Sequence, residues 1–195
     1  MQDGELMSYL DFVCLDVETT GLNEKENEII EIGLVKYHQG KLVDEYGQIL
    51  KPRKRISRYV VNMTGISNDM VREAPRFRDV VDEVLAFIGD YRIIGHNVQF
   101  DMGMLNQALK QTNYPSLQNS SLDTLDMVSL ILPTHRSYKL SHLAKLFDIT
   151  EDNVHRAKDD ALMTSNLYLK LIEKFQALDR DTLNFIYYYI EPTQW

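Results

Sequence analysis

Residues 11–21 read Asp-Phe-Val-Cys-Leu-Asp-Val-Glu-Thr-Thr-Gly, an apolar run that ends in two carboxylates and a polar turn. A short apolar run bounded by turn residues is typical of a buried strand, which we predict over residues 11–16. Asp16 and Glu18 are two residues apart, so on an extended backbone their side chains point to the same side. Two carboxylates held side by side repel each other unless a cation lies near them. The stretch therefore predicts a cation site at a strand end or, in a plainer reading, a strand capped by a polar turn.

Two later segments carry further candidates for the same site. Asp101 ends the segment 95–101, Gly-His-Asn-Val-Gln-Phe-Asp, and the segment 155–161 reads His-Arg-Ala-Lys-Asp-Asp-Ala. Because each of the three stretches lies where a strand ends or a helix begins, we expect them to meet at one edge of a sheet. Carboxylate oxygens are ligands that suit Mg²⁺ or Mn²⁺. Two such ions about 3.5–4 Å apart clamp the attacking and leaving oxygens of a phosphodiester.

The local spacing gives each candidate a role and an alternative. Asp101 falls in the first turn of a predicted helix, where the helix dipole favours a carboxylate, and we predict Asn97 as its N-cap. His96 either contacts sugar or phosphate, or fixes this turn. His155 and Asp160 are five residues apart, so on one helix they would face different ways. We therefore expect His155 in the loop before the helix, from which its imidazole can accept a proton from water at neutral pH.

The remaining pattern predicts an α/β domain with a mixed sheet. Strands are expected over 29–37 and 41–50, around a hairpin turn at 38–40, and over 92–95 and 121–124. Apolar residues at helical spacing predict helices over 77–88, 98–111, 125–131, 140–147, 157–175 and 179–190. Strands followed by alternating helix and strand imply the α/β class. At 195 residues, the chain is expected to form one domain.

Composition narrows the classes of protein to consider. The sequence has no run of about 20 apolar residues and no basic-then-apolar leader, so we expect neither a membrane span nor a signal peptide. Its one cysteine, Cys14, cannot form an internal disulfide, which fits a reducing cytoplasm. The net charge of −8 argues against a protein that coats nucleic acid through bulk electrostatics. It does not exclude a nuclease, because bound metal ions reverse the local field.

One basic stretch stands out against the acidic background. Residues 51–55 read Lys-Pro-Arg-Lys-Arg and are followed by Arg58. Such a stretch is either a solvated loop or a contact for substrate phosphates.

The order Asp-x-Glu, then Asp, then His-x₄-Asp resembles the DEDDh (DnaQ-like) 3′–5′ exonucleases. This family includes the proofreading subunits and domains of bacterial replicative polymerases, RNase T and oligoribonuclease. The resemblance covers residues 10–175 and looks strongest toward the exonuclease domain of PolC-type polymerases and its stand-alone relatives. It is supported by Leu22 after the Thr-Thr-Gly turn, by 63–70 (Met-Thr-Gly-Ile-Ser-Asn-Asp-Met) and by 122–125 (Leu-Asp-Thr-Leu). Where members usually carry His-Gly-Ile, this chain has Thr64-Gly65-Ile66, which leaves the role of that position open.

The resemblance implies an RNase H-like fold, a mixed sheet flanked by helices. We expect an exonuclease domain over residues 1–175 and a C-terminal helical extension over 176–195 that packs on the same domain. The implied cofactors are two divalent ions, Mg²⁺ or Mn²⁺. Asp16 would bridge both ions, Glu18 and Asp160 would complete one site, and Asp101 would bind the other largely through water. His155 would be the general base.

The resemblance also implies how the substrate is held. Thr19, Thr20 and Leu22 would hold and wedge the terminal nucleotide, and His96 or Asn97 would touch its sugar. Gly21, in the same turn, carries no side chain and lets a nucleotide approach the backbone closely. The implied product is a nucleoside 5′-monophosphate released from a free 3′ end.

Several functions are compatible with this site. The main expectation is a DNA exonuclease of the proofreading or repair type. No residue decides whether a 2′-OH is accepted, so a 3′–5′ exoribonuclease is the alternative. The intact spacing of the five polar residues speaks against a non-catalytic nucleic-acid-binding module. The aromatic segment 183–190 and Trp195 either dock the chain on a polymerase, helicase or other replication or repair protein, or pack a terminal helix on the core, which we favour.

Overall fold

One five-stranded sheet runs through the computed structural model, which describes residues 9–150 and 156–178. Its spatial order is β3-β2-β1-β4-β5. The strands are β1 (Phe12–Thr19), β2 (Ile29–His38), β3 (Lys41–Ile49), β4 (Arg92–Gly95) and β5 (Ser121–Asp123). β1, β2 and β3 are antiparallel neighbours, whereas β4 is parallel to both β1 and β5. The predicted mixed sheet is therefore confirmed.

Six helices accompany the sheet within the described residues. They are α1 (Arg58–Thr64), α2 (Phe77–Ile88), α3 (Val98–Gln111), α4 (Thr124–Ile131), α5 (Leu140–Leu146) and α6 (Ala157–Gln176). Apolar side chains of α2 and α3 form one buried cluster with the sheet, and those of α4, α5 and α6 form another. The sheet is thus covered by helices on both faces, which is the predicted α/β arrangement. None of the helices in the described ranges has both the length and the apolar character needed to cross a membrane.

The alternation of side chains along β1 decides which face receives the acidic residues. Phe12 and Cys14 belong to the cluster with α6, whereas Val13 and Leu15 belong to the cluster with α2 and α3. Successive side chains of a strand point to opposite faces of the sheet, so the even-numbered positions share the α6 face. Asp16 continues this even-numbered series at the carboxyl end of the strand. Cys14, on the same face, is a buried core residue.

Most predicted elements are confirmed, some with the same bounds. The helices over 77–88 and 98–111 and the strand over 92–95 begin and end as predicted. β1 extends to Thr19, three residues further than predicted, because pairing with β2 continues past the two carboxylates. The hairpin turn lies at Gln39 and Gly40, whose φ angles of 51° and 72° suit a two-residue connection. The predicted helix over 179–190 and the aromatic tail lie outside the described residues.

Helix α1 was not predicted. The Ser57 hydroxyl accepts a hydrogen bond from Val60 N at its start, and Gly65 ends it in the left-handed conformation with φ 72°. Both residues are ordinary helix-boundary signals. The helix has only seven residues and buries few of them, so its apolar periodicity in the sequence is weak.

Candidate metal and catalytic site

Three carboxylates converge at the carboxyl end of β1. Asp16 and Glu18 lie on this strand, and Asp160 lies in the first turn of α6. Each offers one carboxylate oxygen within 4.8 Å of those of the other two. The structure therefore brings together residues that are more than 140 positions apart in the sequence.

A glycine on β2 lets α6 begin beside this cluster. Gly33 lies opposite Asp16 in the β1–β2 register. A Cβ atom at Gly33 would overlap the backbone of Ala157 and Lys158, at the start of α6. Since any side chain there would push the helix away, Gly33 is what allows Asp160 to approach β1.

A buried carboxylate on β2 holds the start of α6. Glu31 is 3% exposed and lies opposite Glu18 in the register. Arg156 donates to Glu31 Oε1 from Nε at 3.0 Å and from Nη2 at 2.6 Å, and the backbone N of Ala157 donates to Oε2 at 3.1 Å. Paired charges and filled hydrogen bonds are what make a buried carboxylate tolerable. Sequence reasoning missed Glu31, although a single charge inside the apolar run 29–35 was a signal.

The carboxylates of the cluster repel one another electrostatically. Burial raises the pKa of Asp16 well above its ordinary value, and the charges of Asp101 and Asp160 raise it further. Burial also raises the pKa of Glu18 to about 8, with contributions from Asp160 and Glu31, while Arg156 lowers it. Like charges in a desolvated site disfavour ionisation unless a cation compensates them. Hard carboxylate oxygens at this spacing fit a divalent cation, so the residues present suit a metal site.

Asp101 reaches the same strand from the opposite layer of helices. It is 5% exposed, lies in the first turn of α3, and its Oδ1 accepts a hydrogen bond from Val17 N at 3.0 Å. Burial raises the pKa of Asp101 to about 8, although hydrogen bonds from the backbone N–H groups of Val17 and of Asp101 itself lower it. Val17 stands between Asp16 and Glu18 in the chain, so this bond ties Asp101 to the part of β1 that carries both carboxylates.

The start of α3 corrects the predicted capping role of Asn97. Asn97 occupies the N-cap position, but with φ 70° and ψ 47°, and its side chain makes no capping hydrogen bond. Side-chain caps form from extended backbone, so this left-handed conformation points the amide elsewhere. Asp123, at the end of β5, caps the helix instead. Its carboxylate accepts from the backbone N of Asn97 and Val98 at the start of α3, and from Leu125 N at the start of α4, each at 2.9 Å.

His96 is engaged within the protein through both ring nitrogens. Nδ1 lies 2.9 Å from Thr124 Oγ1 and Nε2 lies 2.6 Å from the Tyr138 carbonyl oxygen. A carbonyl only accepts, so Nε2 carries a proton and donates. Burial lowers the pKa of His96, which favours the neutral ring. These contacts support the turn-fixing reading of His96, and its contact with substrate stays a prediction.

The turn after β1 is tightly organised and presents one apolar side chain to solvent. Thr19 Oγ1 donates to the Gly21 carbonyl at 2.8 Å, and Thr20 Oγ1 donates to Asn27 Oδ1 at 3.1 Å. A Cβ at Gly21 would lie 2.6 Å from Asn27 Oδ1, so a larger residue would displace the Asn27 side chain that Thr20 contacts. Leu22 is 82% exposed. An isolated exposed leucine is ordinary on a protein surface, but this one follows Glu18 closely in the sequence.

His155 lies outside the described residues. The next residue, Arg156, is described. It immediately precedes α6 and its side chain is bonded to Glu31. The predicted place of His155 before α6 follows from the sequence alone and stays a prediction.

Comparison with solved structures gives the class of fold. The chain superimposes on E. coli Exonuclease I in complex with a dT13 oligonucleotide with a TM-score of 0.76 at 20% identity, covering 92% of this chain and 43% of that one. It also superimposes on the nuclease domain of 3′hExo, a DEDDh family member bound to rAMP, with a TM-score of 0.73 at 19% identity, covering 85% and 93% of the two chains. The fold is RNase H-like, as predicted.

Sequence comparison gives the family. A family model described as "Exonuclease" matches residues 13–168, and the chain belongs to this family. DNA polymerase III PolC-type of Halalkalibacterium halodurans is 36% identical over 173 residues, which are 89% of this chain and 12% of that protein. The 3′-5′ exonuclease DinG of Staphylococcus epidermidis is 34% identical over 182 residues, 93% of this chain and 20% of that protein. The predicted resemblance to DEDDh 3′–5′ exonucleases is confirmed, and the chain spans a fifth or less of these relatives.

Proposed function

We propose that this chain is a metal-dependent 3′–5′ exonuclease that removes nucleoside 5′-monophosphates from the 3′ ends of DNA. The observation that carries the proposal is the convergence of Asp16, Glu18 and Asp160 within 4.8 Å, with Asp101 bonded to the intervening backbone. Membership of the exonuclease family and similarity to PolC-type and DinG proteins support it.

The carboxylates would hold two divalent ions, Mg²⁺ or Mn²⁺. Asp16 would be the ligand shared by both ions, because the charges of Asp101, Asp160 and Glu18 all raise its pKa and it therefore interacts with every other carboxylate of the group. Glu18 and Asp160 would complete one site, and Asp101 would serve the other. When bound, the ions supply charge neutralisation at the phosphate and a more acidic attacking water.

The remaining roles fall to side chains around this group. Water attacks the terminal phosphorus, the 3′ oxygen of the preceding nucleotide leaves, and His155 accepts the proton of the water as general base. Thr19, Thr20 and Gly21 form the wall against which the terminal nucleotide rests, and Leu22 wedges its base. Positioning supplies much of the rate in phosphoryl transfer, so a rigid turn suits this task.

The same turn explains why a free 3′ end is required. The hydrogen bonds of Thr19 and Thr20 hold the turn in one shape, and Leu22 projects from it. A strand that continued past the turn would collide with this side chain. A circular single strand should therefore resist digestion, and a 3′-phosphate should slow it. Rapid cutting of the circle would identify an endonuclease instead.

RNA is the alternative substrate. The solved nuclease domain of 3′hExo was bound to rAMP, and it shares the fold of this chain at a TM-score of 0.73. Asn97, exposed at the start of α3, could approach the sugar of a terminal nucleotide, where the 2′-OH distinguishes RNA from DNA. We place DNA first because the PolC-type and DinG relatives have the higher sequence identity.

A digestion panel tests the proposal directly. Matched 5′-labelled DNA and RNA strands, paired and unpaired at the 3′ end, are incubated with Mg²⁺ or Mn²⁺. We expect a ladder that shortens from the 3′ end of DNA, faster than from RNA, and no digestion in EDTA. Full activity in EDTA would refute the metal-dependent mechanism, and faster loss of RNA would move the assignment to an exoribonuclease.

The cellular setting follows from this function. We infer a place in DNA replication or repair in the cytoplasm, with a polymerase or another replication or repair protein as partner. The domain over residues 1–175 would carry the activity, and 176–195 would pack on it as an extension. Co-purification of the tagged chain with a polymerase, lost on removal of 176–195, would instead assign that extension to docking.

A further inference from the structure

A cavity of about 180 Å³ lies between the start of β2, the loop after β3, the start of α2 and the side of α3. Its apolar floor is formed by Ile29, Phe77, Met104 and Ala108. Its rim carries Lys51 and Arg53 from the loop after β3, Arg76 and Arg78 from the start of α2, and Glu28. We call these five rim residues and the space between them the cationic pocket. The backbone N of Lys51 donates to the Pro75 carbonyl at 2.8 Å, which holds the two basic segments together.

The charge of the cationic pocket is only partly balanced. Glu28 is occupied by Arg53, whose Nε donates to Oε1 at 2.9 Å and whose backbone N donates to Oε2 at 2.9 Å. Arg78 Nε lies 3.5 Å from Asp79. Within the ranges 9–150 and 156–178, Lys51 and Arg76 form no ion pair. Unbalanced cations over an apolar floor, in a chain of net charge −8, mark a site for an anionic ligand.

The cationic pocket is joined to the active site on two sides. Thr20 N donates to the Glu28 carbonyl at 2.9 Å, so the turn beside the carboxylates continues into the pocket wall. Helix α3 carries Asp101 in its first turn and lines the pocket from Met104 to Thr112. At about 1.5 Å per residue, the far end of the pocket lies about 16 Å along α3 from Asp101. That length corresponds to about four to five nucleotides of a stacked strand.

We propose that the cationic pocket binds phosphodiester groups of the substrate strand several nucleotides from the bond that is cleaved. The inference rests on the proposed exonuclease function and extends it from the terminal nucleotide to the strand behind it. Arg53 is held in place by Glu28 and by Gln111, toward which its Nη2 donates at 3.3 Å. Lys51, Arg76 and Arg78 supply the charges that contact phosphate. Arg53, bonded to Gln111, lies about 15 Å along α3 from Asp101. A dinucleotide is too short to span that distance, so only longer strands gain from the charges of the pocket.

Two double variants, each of which removes two positive charges, distinguish the contribution of the pocket to binding from that of the adjacent loop. Arg76→Ala with Arg78→Ala removes two pocket charges. Lys54→Ala with Arg55→Ala removes two exposed charges of the adjacent basic stretch that do not line the pocket. Each pair is placed in an Asp16→Ala background, so that binding is measured without hydrolysis. Fluorescence anisotropy then gives the Kd for a labelled single strand of about 20 nucleotides, longer than the 4–16 nucleotides that a single-strand site usually covers.

The pocket variant should bind the long strand more weakly than the loop variant. Between about 50 and 200 mM salt, its dependence of log Kd on log salt should be shallower by about 0.7 for each lost phosphate contact. With Asp16 restored, its KM for the long strand should rise while hydrolysis of a dinucleotide stays unchanged. Lys51→Gln, which changes an exposed side chain, repeats the measurement if the double variant loses stability.

Other outcomes would overturn the proposal. Equal losses in the two double variants would mean that the effect is general charge screening. Unchanged binding of the long strand, together with weaker inhibition by a nucleoside 5′-monophosphate, would assign the pocket to the released product. The binding measurements need no turnover, so they test the pocket separately from the enzyme activity. If the unmodified chain digested no substrate, the exonuclease proposal would be wrong, and the Kd values would still decide whether the pocket binds the strand.

Discussion

Helices α3 and α6 each bring a carboxylate to the site from their first turn, and each begins on a carboxylate of a neighbouring strand. At α3, Asp123 accepts hydrogen bonds from the backbone N of Asn97 and Val98. At α6, Glu31 accepts one from the backbone N of Ala157 and others from Nε and Nη2 of Arg156. The first arrangement uses backbone donors alone, whereas the second depends on an ion pair.

The carboxylates that these helices deliver differ in the same way. Asp101 of α3 is tied to Val17 N, and the backbone of β1 therefore fixes its position. Asp160 of α6 lies among Asp16 and Glu18 and raises the pKa of both. We infer that a backbone hydrogen bond fixes the carboxylate on the α3 side, whereas the start of α6 depends on the ion pair between Glu31 and Arg156. Changes on the α6 side should consequently cost more activity.

Asp16→Ala should have the largest effect of all, because both helices direct their carboxylates toward Asp16. We expect hydrolysis to fall below detection while the fold, measured by circular dichroism, stays intact. Asp90→Ala, at an exposed position after α2, is the matched control and should keep full activity. Residual activity of Asp16→Ala near the parent rate would show that the two helices do not share a centre.

His155→Ala should come next, with a rate lower by about 10²–10⁴-fold, as expected for loss of a general base. Metal binding should persist, because every carboxylate remains. The acid limb of the pH–rate profile should flatten in the variant. A parent-like rate would mean that another group accepts the proton. It would also contradict the inference that changes on the α6 side cost more activity.

Glu31→Gln tests the ion pair at the start of α6. Without its carboxylate partner, the charge of Arg156 would turn toward Glu18, whose pKa it already lowers, and would compete there with a metal ion. We expect activity to fall by about 10–100-fold, the usual range for groups that support metal ligands. The Mg²⁺ concentration for half-maximal rate should rise, with little change in KM for DNA.

A matched control is available on the same helix. Lys158 Nζ lies 2.8 Å from Glu45 Oε2, an ion pair that also joins α6 to a strand but is partly exposed to solvent. Exposed pairs contribute little, so Glu45→Gln should leave both rate and Mg²⁺ requirement nearly unchanged. Equal effects of Glu31→Gln and Glu45→Gln would mean that Glu31 only helps to hold the helix on the sheet and has no specific role in metal binding.

Asp123→Asn should cost less than Glu31→Gln. The asparagine keeps one acceptor oxygen for the start of α3, and Asp101 keeps its bond to Val17. We expect a loss at or below the lower end of the 10–100-fold range, and a Mg²⁺ requirement close to that of the parent. If Asp123→Asn proved the more damaging change, the inferred difference between the two helices would be wrong.

The two helix starts also show what the sequence could and could not predict. Asp16 and Glu18 were predictable because a two-residue spacing on a strand fixes a shared side, whatever surrounds it. Asp101 and Asp160 were predictable because each follows a recognisable helix start. Glu31 was missed because its partner Arg156 is 125 residues away, and no local pattern reports such a distance.

The start of α3 shows a different limit. An asparagine before a helix is a common N-cap, so Asn97 was assigned that role from local preference. The tertiary structure supplies a stronger acceptor, the carboxylate of Asp123, from a strand that is 26 residues further along. Residue type alone could not distinguish between the two. The backbone angle of Asn97, which excludes the side-chain cap, is known only once β5 lies beside β4.

The smallest effect is expected on stability, where the two sides of the site act together. The folded-state pKa values of Glu18 and Asp101 are both about 8, above their ordinary values of 4.5 and 3.8. Between these limits the folded state binds more protons than the unfolded state, so the free energy of unfolding falls as pH rises toward 8. In EDTA, Tm should therefore be higher near pH 5 than near pH 8.5. Mn²⁺ should restore much of the loss at the higher pH, because a divalent ion favours the charged carboxylates.

Glu18→Gln should flatten the pH dependence of Tm measured in EDTA, whereas Asp90→Asn should not. A Tm in EDTA that stayed level or rose over this pH range would contradict the raised pKa values of both carboxylates.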